Sequence, residues 1–249
     1  MFWAEFRLAV TLLTVIPLPG APPADPRRLA GRAMVWAPVI GLLLGLAAAG
    51  VLWLAARPGQ LGPLLSAVLA IGTLALLSGG LHLDGLADLA DGLGSRRPAS
   101  EALAIMKKSD IGPFGVVALV LILLVQIAAL ARAESLGRGV VAMVAAAVTS
   151  RLAMTAACRR GVPGARGSGL GALVAGSVPR LVVAGLVIAD LAAAAAFGWF
   201  FAVGVAAGLI VSAGLTALAV RRLGGITGDV LGAIAETTMA ACLLFCLVR

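Results

Sequence analysis

The sequence predicts an all-α, polytopic transmembrane helical bundle of about seven membrane helices, with an N-terminal amphipathic or re-entrant helix in front. Three observations carry this. The 249 residues are 61% hydrophobic and 12% charged, with a mean hydropathy of +1.10, against ~25% charged in an ordinary soluble domain. The apolar runs approach the ~20 residues that span a bilayer core. They are continuous rather than alternating, so their backbones must be satisfied within helices and not in a barrel. Abundant Ala and Gly suit close helix–helix approach.

The opening run, "MFWAEFRLAVTLLTVIPLPG", ends at Pro17 and Pro19, too short to span. A secretory signal peptide is one reading, since "GAPPA" follows. Glu5 in the leading charged region opposes it, and an amphipathic or re-entrant helix at the interface is favoured. Seven long apolar segments follow at 33–56, 61–80, 114–133, 139–157, 181–199, 202–220 and 230–248. The fifth and sixth meet at Gly198–Phe201 without a charged loop, so a tight turn or one broken helix is expected there. There is no internal repeat, and residues 1–249 read as one integral-membrane domain.

The connections alternate in charge. Arg27, Arg28 and Arg32 precede the first segment. Arg96, Arg97, Lys107 and Lys108 follow the second, Arg159, Arg160, Arg166 and Arg180 the fourth, and Arg221 and Arg222 the sixth. These thirteen face four on the other side, Arg57, Arg132, Arg138 and Arg249. The richer side is expected in the cytoplasm of a bacterial-type inner membrane. The net charge of +8 is therefore topological, and no nucleic-acid partner is expected. The expected partner is the lipid bilayer; a homo-oligomer is left open. Cys158, Cys242 and Cys246 read as small core residues, and the single histidine, His82, leaves no metal-spaced Cys/His cluster.

The stretch "SGGLHLDGLADLADGLG", residues 78–94, stands out. Asp84, Asp88 and Asp91 fall within eight positions, in a chain with only 11 acidic residues. At i, i+4 and i+7 they share one helix face, and like charges at that spacing repel. They need water or a cation. Mg²⁺ takes oxygen ligands and shares them with substrate phosphates. The nearby Arg96, Arg97, Lys107 and Lys108 suit an anionic substrate, and metal, basic clamp and carboxylates together make a phosphoryl-transfer site. An interfacial helix with a solvated acidic face is the plainer alternative.

Other polar residues sit within the helices. Arg151, with Ser150 beside it, is about two turns inside the fourth segment, and buried Arg in a membrane helix marks a site unless it snorkels. Asp229 and Glu236 share a face at the start of the last segment, where capping of the helix is the alternative reading of Asp229. Glu236 is a candidate to orient a hydroxyl, to pair with Arg151 or to complete a second metal site. His82 is a candidate proton acceptor or a structural residue. Asp190 is assigned no role beyond packing against another polar side chain.

"GGLHLDGLADLADGLG", "AIMKKSDIGPFG", "GGITGDVLGAIAE" and the opening "FRLAVTLLTVIPLP" together resemble the cobalamin synthase family, the adenosylcobinamide-GDP ribazoletransferases, over nearly the whole chain. The resemblance implies a Mg²⁺-dependent membrane enzyme. It would join adenosylcobinamide-GDP to α-ribazole, or its 5′-phosphate, and release GMP. In that setting Asp84, Asp88 and Asp91 are expected to hold Mg²⁺. Arg96, Arg97, Lys107, Ser150, Arg151, Asp229 and Glu236 are expected to bind substrate, and Asp91 or His82 to move the hydroxyl proton. One departure is Lys107-Lys108-Ser109-Asp110, where the family pattern reads basic-Asp-Ser-Arg; an ion pair survives that exchange and a metal ligand at position 108 does not. The aspartate motif is more loosely similar to that of CDP-alcohol phosphotransferases, but Leu89-Ala90-Asp91 stands where Ala-Arg is expected. A cation-coupled transporter is a further alternative, disfavoured by the basic loop beside the acids.

Overall fold

The computed structural model describes residues 2–20, 25–57 and 61–248. Arg249 and most of "GAPPA" lie outside them. Twelve helices follow one another: α1 (Phe2–Leu13), α2 (Pro26–Val35), α3 (Ala37–Ala55), α4 (Gly62–Leu77), α5 (Leu81–Gly94), α6 (Ala99–Ile105), α7 (Pro113–Ser135), α8 (Gly139–Ala157), α9 (Leu170–Val174), α10 (Arg180–Phe197), α11 (Trp199–Leu223) and α12 (Gly228–Phe245). No β-strand forms among the described residues, only two isolated bridges, Arg159 to Val178 and Gly164 to Ile226. The all-α expectation holds.

Six helices, α3, α7, α8, α10, α11 and α12, are long and apolar enough to cross a membrane. α4 and α5 meet that standard together but bend by 88°, which makes up to seven passages. We read α4 as the crossing run and α5 as lying across its end. The bend is built by Gly79 and Gly80, at φ 64° and 69°, a left-handed conformation that only glycine adopts freely. The expected first segment from residue 33 is two elements instead. α2 stops at Val35 and α3 restarts at Ala37, with Pro38 in its first turn, where proline's missing N–H costs nothing. The fifth and sixth segments are separate helices that meet at Gly198 (φ 149°). α1 is the short N-terminal helix. Arg32 donates to Glu5 at 3.0 Å, and Phe2 and Phe6 set their edges against Trp36.

α12 is the centre of the bundle. It packs on α5, α7, α8 and α11 and buries residues from Val230 to Leu243 with few interruptions. Small residues set the crossings. A Cβ on Gly204 would come within 2.6 Å of the Cys242 carbonyl, and one on Gly41 within 2.5 Å of the Ala147 carbonyl. With no hydrophobic drive inside lipid, such close backbone packing holds membrane helices together. Some polar side chains inside the bundle find partners there: Thr149 donates to Asp190 at 2.9 Å, and Thr155 to the Met34 carbonyl at 2.6 Å.

Candidate active site

The site starts from two glycines. A Cβ on Gly85 of α5 would lie 2.8 Å from the Asp229 carbonyl oxygen, and a Cβ on Gly232 of α12 would lie 3.0 Å from the His82 carbonyl oxygen. The two helices therefore cross backbone to backbone. The crossing brings the flanking acids together: Asp84 exposed and Asp88 half-buried on α5, Asp229 half-buried in the first turn of α12.

Their partners differ. Among the described residues, no side chain or amide donates to Asp84 or Asp88. Asp229 Oδ2 accepts from Thr227 Oγ1 at 3.2 Å and from Arg166 Nη1 at 3.3 Å. Arg166 also donates through Nη2 to the Leu103 carbonyl at 3.0 Å, which ties the 158–180 segment to α6. Arg166 thus pairs with Asp229, and its charge also acts on Asp88. Burial, then the charges of Asp84, Asp229 and Asp91, push Asp88 up to about 6, with Arg166 pulling the other way. Asp84, Asp88 and Asp91 lie on α5, beyond the 88° bend at the end of α4. Among the described residues, no three His, Cys, Asp or Glu side chains are grouped so that they could hold a metal ion together.

Asp91, expected as ligand and base, is placed differently. Its Oδ2 accepts from Gly112 N at 2.7 Å and its Oδ1 from Gly115 N at 2.9 Å. These amides open α7, and an anionic cap there satisfies donors that have no partner within the helix. Gly112 and Gly115 are glycines for the same reason, since a Cβ on either would fall 2.5 Å from an Asp91 oxygen.

The remaining candidates form two further groups. His82, Ser150 and Arg151 are fully buried. Arg151 Nη1 donates to Ser150 Oγ at 2.9 Å, and its Nη2 lies 3.4 Å from His82 Nδ1. Glu236, also buried, accepts from Gln126 Nε2 at 2.8 Å and makes no ion pair with Arg151 within 4 Å. His82 Nε2 and Arg151 Nε have no protein partner among the described residues. These residues underlie the carboxylates rather than join them. The third group is on the surface. Arg97 pairs with Glu101 at 3.6 Å, both largely exposed. Arg96 is exposed at φ 55°, and Lys107, Lys108 and Asp110 are exposed without an ion pair among the described residues.

A model of the cobalamin-5-phosphate synthase family matches residues 5–247. The chain belongs to this family. Among curated relatives named adenosylcobinamide-GDP ribazoletransferase, one from Frankia casuarinae is 46% identical, covering 96% of this chain and 93% of its own. One from Bradyrhizobium diazoefficiens is 40% identical (94% and 89%), and one from Brevibacillus brevis 32% identical (96% of each). No solved structure matches.

Within this cobalamin-5-phosphate synthase chain, sequence reasoning missed two residues. Arg166 entered it only as one topological charge among thirteen, and its partner Asp229 is 63 positions away. Gln126 carried a usable signal: it is the lone amide in the apolar body of α7, and a polar side chain in a membrane helix needs a partner.

Proposed function

We propose that the chain is a Mg²⁺-dependent adenosylcobinamide-GDP ribazoletransferase, working at the cytoplasmic face of a bacterial inner membrane. The observation that carries this is the placement of Asp84 and Asp88 beside the Asp229–Arg166 pair at the Gly85–Gly232 crossing. The family and the named relatives support the ribazoletransferase activity.

The residues fit a hard divalent cation. Asp84 and Asp88 carry oxygen donors with no competing protein hydrogen bond among the described residues, and the cluster has two negative charges in excess. An open pair of carboxylates, rather than a closed cage, is how Mg²⁺ is held when substrate phosphates complete its coordination. Mg²⁺ held there by Asp84 and Asp88, with Asp229 flanking, would neutralise the charge that grows on the leaving phosphate.

The chain's own residues do the rest. A ribazole hydroxyl attacks the phosphorus attached to cobinamide and loses its proton to water, the bond to the GMP oxygen breaks, and GMP leaves. Phosphoryl transfer of this kind depends more on positioning and electrostatics than on covalent catalysis by the protein. Arg166, paired with Asp229 beside the carboxylates, would hold the non-bridging oxygens, with the exposed Arg97 available to join it. Asp91 acts through position, fixing the start of α7 under the carboxylate row. His82, Arg151, Glu236 and Gln126 form the buried polar floor on which α5 and α12 rest. The acceptor is α-ribazole or its 5′-phosphate.

The test is purified protein with adenosylcobinamide-GDP, α-ribazole and Mg²⁺. The expected result is GMP release in step with the new cobamide, and none without Mg²⁺. Absence of GMP under these conditions overturns the reading.

A further inference from the structure

A second concavity lies between α2, the 158–180 segment and the first turn of α10. Its volume is about 450 Å³, within the range of small-ligand sites, and none of the clustered carboxylates lines it. One wall is arginine: Arg27, Arg28 and Arg32 from α2, and Arg160 from the opposite segment. The two basic surfaces close on each other because residue 31 is glycine, where a Cβ would fall 2.5 Å from that of Ser177.

The protein does not neutralise this wall. Arg32 pairs with Glu5 at 3.0 Å. Arg27 reaches the Ala175 carbonyl at 3.4 Å. Asp25, the nearest other acid in sequence, uses Oδ1 to accept from the Arg28 backbone N–H at 3.0 Å as the α2 cap. Among the described residues the guanidiniums of Arg28 and Arg160 have no carboxylate partner. Four cations against two anions leave an excess of two.

The other wall is apolar, made by Val35, Pro179 and Val182. Val182 is in the first turn of α10, a helix that buries only Val183 and Ala194, and Leu181 beside it is 87% exposed. Such a helix face belongs against lipid. On the far side of α2, Phe2 and Trp3 of α1 are 67% and 65% exposed, the placement of aromatic side chains at a membrane–water boundary. The cavity therefore joins a cationic wall to an apolar wall at the start of a lipid-facing helix. A phosphate ester satisfies the first part, and a phospholipid, whose acyl chains continue into the surrounding bilayer, also uses the second.

We propose that this cavity is a binding site for the headgroup phosphate of an anionic phospholipid, held by Arg28 and Arg160 and docking the 158–180 segment, with its Arg166, on the bilayer surface. Guanidinium groups bind phosphate oxygens through paired hydrogen bonds, and basic pockets between membrane helices select anionic headgroups.

The test reconstitutes the full chain in nanodiscs of phosphatidylcholine alone, or of phosphatidylcholine with one-third phosphatidylglycerol. Retained lipid is then counted by native mass spectrometry. The wild type is expected to retain phosphatidylglycerol in preference, and to melt at a higher temperature when it is present. Arg28→Ala with Arg160→Ala should lower the preference on the order of tenfold and remove the rise in melting temperature. Its melting temperature in pure phosphatidylcholine should stay unchanged. Arg28→Ala alone, whose side chain bonds nothing else among the described residues, reads the same preference if Arg160 is needed for folding. Arg221→Ala with Arg222→Ala should behave as wild type. Equal retention in all variants, or equal loss in the Arg221/Arg222 control, overturns the proposal. So does α-ribazole 5′-phosphate or inorganic phosphate filling the site while phosphatidylglycerol retention is unaffected, since the cavity would then serve a soluble phosphate.

Discussion

Each of the three aspartates in the row has a different environment, and their substitutions should separate. Asp91 accepts amide hydrogen bonds on both oxygens, so Asp91→Asn keeps one acceptor and loses the anion at the start of α7. The expected cost is about 1 kcal/mol, as for a lost helix cap, read as a lower melting temperature, with the Mg²⁺ concentration for half-maximal rate unchanged. A shift in that Mg²⁺ concentration without a change in stability would return Asp91 to the metal site. Asp88 carries the pH dependence. Burial and its acidic neighbours raise it to about 6, and a bound cation must displace that proton. As pH falls through about 6, more Asp88 is protonated and the Mg²⁺ requirement should rise, approaching tenfold per unit below it. High Mg²⁺ should restore the rate, and Asp88→Asn should flatten the profile. A requirement that stays constant between pH 5 and 7 would exclude Asp88 from the site.

The crossing of α5 and α12 is the element on which the site depends. Gly232→Ala places a methyl 3.0 Å from the His82 carbonyl, tighter than carbon ordinarily approaches oxygen, and must push the helices apart. The expected outcome is more than tenfold loss of GMP release with the protein still inserted, since small displacements of positioned groups cost rate steeply. Normal activity would show that the close contact is dispensable. This element also marks how far the sequence was legible. Asp84 and Asp88 could be picked out because helical spacing is local and the surrounding residues are apolar. Asp229 could be placed at a helix start for the same reason. Its union with Asp84 across the Gly85–Gly232 contact is tertiary, as are the Arg166 pairing and the Gln126–Glu236 bond, 110 positions apart. The placement of Asp91 has the same origin. Its spacing puts it in the carboxylate row, but Gly112 and Gly115, 21 and 24 positions on, take up its oxygens. The two-part first segment is a local matter of Pro38 and Trp36, masked by apolar residues on both sides.

At the scale of the whole molecule, the thirteen-to-four division of basic residues puts the carboxylate cluster and the arginine-lined cavity on one side. The three cysteines are buried, so a Cys-free background with a single cysteine at Ser168 reports orientation cleanly. Labelling in intact cells should require a membrane-permeant reagent. Labelling by an impermeant one would place the site away from cytoplasmic nucleotides. The central claim is that the Asp84 carboxylate is needed to hold the cation on which transfer depends, and the most direct measurement is GMP release by Asp84→Asn as Mg²⁺ is titrated. The amide keeps the size of the side chain and removes the anion a hard cation requires. The account predicts at least a 10³-fold lower rate from an inserted, folded protein, on the order of what a charge-stabilising group supplies in a transition state. A rate within a few-fold of wild type at low millimolar Mg²⁺ would contradict it.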